Sequence, residues 1–135
     1  MIDQNKRDSI ISETAIWNYG FIEKSTPSYG GGIALFSGLK VETLKKLINE
    51  GFADLEDAQN ESPTLKEFFD FLEKNPEFSA EGYAVSAERE DCRITITGVL
   101  YTGKVTESKK KAFLELCSDA DELTVEDEYL RSWYD

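Results

Sequence analysis

The residues with chemistry to offer are a glycine run, three acidic clusters, two cysteines and two aromatic segments. The run "SYGGGIALFSG" spans residues 28–38. A phosphate-cradling loop sets glycines between a strand and a helix N-terminus, so that free amides and the helix dipole face the anion. Gly30, Gly31 and Gly32 instead lead into an apolar, strand-like stretch, and no Gly-Lys-Ser/Thr follows. Gly30, Gly32 and Gly38 also miss the dinucleotide spacing. The run reads as a turn or bulge in which glycine supplies positive φ.

The acids gather as Asp54, Glu56, Asp57 and Glu61, then Asp119, Asp121 and Glu122, then Glu126, Asp127 and Glu128. Such oxygens suit calcium or magnesium. An EF-hand loop needs ligands at alternate positions and a glycine at the sixth, yet counting from Asp54 the fifth residue is Ala58 and the sixth Gln59. The clusters read as solvated connectors. Paired carboxylates also run acid–base chemistry. A carboxylate-dependent metal-binding protein or hydrolase therefore stands as the alternative function.

Histidine is absent, which removes the usual base near neutral pH and with it Ser-His-Asp and Cys-His arrangements. Cys92 and Cys117 fit no CxxC spacing, so no zinc site is expected. Both read as buried small hydrophobes in a reduced, cytoplasmic protein. No cofactor is implied, and the balance weighs against an enzyme.

Acids outnumber bases 27 to 15, a net charge of −12. That charge repels nucleic-acid phosphates and anionic headgroups, so neither nucleic acid nor membrane is an expected partner. No run approaches the roughly twenty apolar residues of a membrane span, and the first residues lack a signal-peptide core. The charge suits solubility, or a basic protein partner drawn in by opposite charge.

The aromatic segments are "WNYGF" and "YLRSWYD". Trp, Tyr and Arg concentrate binding energy at interfaces. Tyr129, Arg131, Trp133 and Tyr134 are the first candidate binding residues, and Trp17 and Tyr19 the second. Core filling and a sheet edge are the structural reading of the same residues.

One domain over residues 1–135 must position these groups. Residues 1–13 form a polar lead-in with room for a short helical turn. Ala15, Trp17, Tyr19 and Phe21 alternate as a strand, and "GIALFSG" follows as its hairpin partner. Leu44, Leu47 and Ile48 share one face of a helix ending at Gly51. A second helix starts at a Thr64/Glu67 capping box, shows Leu65, Phe68, Phe69 and Leu72 on one stripe, and stops at Asn75-Pro76. A hairpin follows, with Cys92, Ile94, Ile96 and Leu100 on its buried face and Arg93, Thr95 and Thr97 on the wetter one. A third helix is capped by Thr106, and a last strand contains Leu123 and Val125.

The expected class is α+β: a two-layer sandwich, mainly an antiparallel sheet of about five strands with helices on one face. The order fits a ferredoxin-like split βαβ pattern with an extra N-terminal strand, and other α+β topologies fit the same elements. The expected function is a non-catalytic protein-binding module, an adaptor or an immunity-type inhibitor. A homo-oligomer such as a homodimer, formed through an exposed strand or the terminal aromatics, is a further arrangement.

Overall fold

The computed structural model describes residues 2–18 and 32–135. Tyr19, Phe21, Gly30 and Gly31 lie outside these residues. The chain order is α1 (Gln4–Ile11), β1 (Ile16–Asn18), β2 (Ile33–Leu39), α2 (Val41–Asn49), α3 (Leu65–Lys74), β3 (Ser79–Val85), β4 (Ile94–Thr102), α4 (Glu107–Cys117), β5 (Glu122–Val125) and β6 (Tyr129–Trp133).

The polar lead-in contains a helix. Asp3 caps α1 by accepting from the Lys6 amide, and Arg7 and Ile11 are its buried residues. Hydrophobic spacing cannot show this, because one of the two inward positions holds an arginine. Its Nε donates to Asp8 and its Nη1 to the Val85 carbonyl.

The later helices follow their local signals. At the end of α2, Gly51 takes φ +79°, and Phe52 N–H donates to Leu47 C=O while Gly51 N–H donates to Ile48 C=O. These are the paired bonds that close a left-handed cap. The Thr64/Glu67 capping box forms at α3 and contributes about 1 kcal/mol. On α3 the buried aromatics are Phe68 and Phe71, whereas Phe69 is half-buried. Phe71 packs edge-on against Phe78.

The six strands of the described residues form one sheet in the order β1-β2-β3-β4-β6-β5, with every neighbouring pair antiparallel. This is a two-layer α+β sandwich, but not the ferredoxin-like strand order. That order would leave β3 at an edge and set β2 against β4. Here Leu39 at the end of β2 pairs with Ala80 at the start of β3. The connection holds two helices, α2 and α3, and returns the chain to the end it left, so β3 runs back along β2. The expected single last strand is a hairpin, because Glu126–Glu128 make a turn that folds β6 back on β5.

A register shift in the β3–β4 ladder sets Gly82 opposite Ile96 and Glu81 opposite Gly98. The extra residue moves the inward set from even to odd positions. Val99 is buried in the core, and Leu100 turns to the other face half-buried. Thr95 and Thr97, expected on a wetter face, are also buried. Gly98 is required where it stands, since a Cβ there would collide with the Ser132 carbonyl. The core lies between the helices and the face bearing Phe36, Ala80, Ile96, Val99 and Leu130, each large apolar side chain contributing about 2 kcal/mol over exposure.

Candidate functional site

Strand alternation sends every second residue to the face of the sheet away from this core. The ladders put Ser37, Glu81, Tyr83, Thr95, Arg131 and Trp133 there. This face is concave: Asn18 of β1 and Trp133 of β6, separated in the sheet by β2, β3 and β4, line one hollow of about 220 Å3.

Glu81 and Arg131 line the hollow together. Arg131 Nε stands 2.7 Å from Glu81 Oε1, and its Nη1 stands 3.6 Å from Glu122 Oε2. The Arg131 guanidinium carbon lies 5.3 Å from the Trp133 ring centroid, within cation–π range. Trp133 Nε1 in turn donates to Asp135 at 2.8 Å. Glu81 is 6% exposed. Burial raises its carboxyl above the ordinary range, and Arg131 opposes that shift.

A second polar group lies on the same face. Tyr83 Oη donates to Gln59 Oε1 at 2.8 Å and accepts from Arg93 Nη2 at 2.9 Å. Arg93 Nε also donates to Thr95 Oγ1 at 3.0 Å and stands 3.9 Å from Asp57 Oδ1. Burial raises the Asp57 carboxyl, opposed by Thr95 and Arg93. The connector after α2 is therefore docked on the sheet at Asp57 and Gln59, where a solvated acidic loop was expected. Clusters of charge in a sequence do not reveal which single acid has a partner.

The candidate residues separate accordingly. Arg131 and Trp133 share the hollow, and Tyr129 stands on the same face, half-buried opposite Thr102. Tyr134 points the other way. It is 2% exposed, packs edge-on to Phe68 and donates to Asp119 at 2.7 Å; burial and that bond raise its hydroxyl. Trp17 packs edge-on to Phe36 and donates to Ser12 Oγ, so it pins β1 to the turn after α1. Tyr19 lies outside the described residues. Glu81 was missed, although "SAEGYAV" offers a signal: an acid at the period-two position between Ser79 and Tyr83, inside an otherwise strand-like run.

The two cysteines differ. Cys117 is buried, and its thiol is pushed up to about 11 by that burial. Cys92 is half-exposed and accepts from Arg7 Nη1 at 3.5 Å, so it is not the buried hydrophobe expected. Among the described residues, no three Asp, Glu or Cys side chains converge as metal ligands, and no helix is long and apolar enough to cross a membrane. A scan of protein-family models and searches of curated proteins and of solved structures return no match to this chain.

Proposed function

We propose that the protein is a non-catalytic binding module that docks a basic protein partner through the face of its sheet that carries no helix among the described residues. The observation behind this reading is the Glu81–Arg131–Trp133 arrangement. Trp and Arg are the side chains in which interface energy concentrates. Here two carboxylates and an aromatic ring fix the guanidinium before any partner arrives, which lowers the ordering cost of association. The net charge of −12 supplies the attraction to a basic partner.

The test is affinity capture from the native cell with wild-type protein and with Trp133→Ala as parallel baits, read by quantitative mass spectrometry. A basic protein retained by the wild type and depleted at least tenfold on Trp133→Ala supports the reading. Equal recovery on both baits, with Trp133→Ala folded by circular dichroism, counts against it.

A further inference from the structure

We infer that the outer edge of β5 captures an extended, basic segment of the partner as an added strand. This rests on the docking reading above and names how that partner is held. Among the described residues β5 ends the sheet, and its backbone directions follow from the ladder. Glu126 N–H donates to Tyr129 C=O at 2.9 Å, so that pair is hydrogen-bonded. Antiparallel pairs alternate; hence Thr124 and Glu122 aim their backbone groups at Arg131 and Trp133, and Leu123 and Val125 aim theirs outward. The far side of β6 agrees, since Glu128 C=O and Tyr134 N–H bond to Gly103 and Thr97 around β4.

The residues with outward backbone groups also offer side-chain contact. Leu123 and Val125 are each 39% exposed. Folded proteins usually blunt such an edge by shortness, charge, proline or a bulge; β5 has no lysine, proline or bulge, and its protection is its four-residue length and the charge of Glu122. Its rim is acidic: Asp119, Asp121, Glu122, Glu126, Asp127 and Glu128 are all exposed. No Lys or Arg stands between Lys111 and Arg131.

Charge selects the occupant. A second copy of this chain would bring two such rims together, and like charges opposed across a ladder destabilise it. A segment alternating basic and β-branched residues would place cations against the rim and pair its backbone with Leu123 and Val125. Main-chain bonds then supply affinity, and the rim supplies selectivity. Glu122 and Thr124 lie on the same face as Arg131 and Trp133, so the added strand extends the docking face.

The probe is a fluorescent synthetic peptide alternating lysine and valine, followed by anisotropy and by NMR hydrogen exchange. Saturation is expected to slow exchange of the Leu123 and Val125 amides at least tenfold, with Glu122 and Thr124 unchanged. Leu123→Pro removes an outward N–H that β6 does not use, a place where an edge strand tolerates proline. It is expected to weaken the peptide about tenfold. If that variant does not fold, the wild-type exchange measurement still decides. Absence of binding, binding without protection at those two amides, or equal binding of a peptide with its lysines and valines in separate blocks would overturn the inference. So would protection that rises with protein concentration alone, because the occupant would then be a second copy. Failure here with a partner still lost on Trp133→Ala leaves the docking reading standing, whereas peptide protection with no effect of Trp133→Ala removes that reading and keeps the edge.

Discussion

Arg131 holds its Nε 2.7 Å from the Oε1 of Glu81, a carboxylate 6% exposed at the floor of a concave sheet face. Removing one member of such a pair leaves the other buried without compensation. Arg131→Ala is expected to cost about 2 kcal/mol of stability at neutral pH, measured by urea unfolding. The cost should shrink in mild acid, where Glu81 is protonated and needs no counter-charge. A cost independent of pH would mean that Arg131 acts through packing alone.

The pH dependence of the wild type has a definite sign. Burial raises the Glu81 carboxyl above its ordinary value of 4.5, so the folded protein keeps a proton the unfolded chain has released. Stability assigned to this group is therefore present below 4.5 and lost as pH rises through the folded value. Asp8 and Asp57 are raised by burial in the same direction. Glu81→Gln isolates the one group: its stability relative to wild type should increase with pH across that window. A relative stability that stays flat or decreases would contradict the burial-dominated shift.

The thiols should respond unequally to a disulfide reagent. Cys92 is half-exposed, while Cys117 is buried with its thiol raised to about 11, and only the thiolate attacks. Titration of the native protein should modify Cys92 alone, with Cys117 following in denaturant. Cys92→Ser should leave the native protein without a fast-reacting thiol; fast reaction persisting in that variant would place Cys117 at the surface.

Gly98→Ala is expected to destabilise by about 3 kcal/mol, because its Cβ meets the Ser132 carbonyl of the neighbouring strand. Gly51→Ala meets no atom and is strained only by its φ of +79°, so its cost should be near 1 kcal/mol, the lower end for an L residue in the left-handed region. Thermal melts of the two variants give the ordering, and equal losses would remove the steric argument.

Local signals made much of this architecture legible. Gly51, the Thr64/Glu67 box and Asn75-Pro76 act within a few residues, so sequence alone places the helix ends they control. Strand order depends on where a connection returns the chain, and the two-helix return from Leu39 to Ala80 has no local signature. The bulge by Gly98 reverses inside and outside for the rest of β4, which one alternating pattern cannot anticipate. Arg131 and Trp133 draw attention by residue type alone, whereas the pairing of Arg131 with Glu81 joins residues distant in sequence and is made only by the sheet. Tyr134 adjoins Trp133 in the chain yet faces the core, because strand neighbours point to opposite sides.

The docking surface proposed for a basic protein centres on Arg131 and Trp133. Its most direct measurement is calorimetric titration of the captured partner into wild-type and Trp133→Ala protein at low and at moderate salt. The expected result is an affinity that falls steeply with salt for the wild type and at least tenfold again on Trp133→Ala at either salt. Binding indifferent to both the salt and the tryptophan would contradict it.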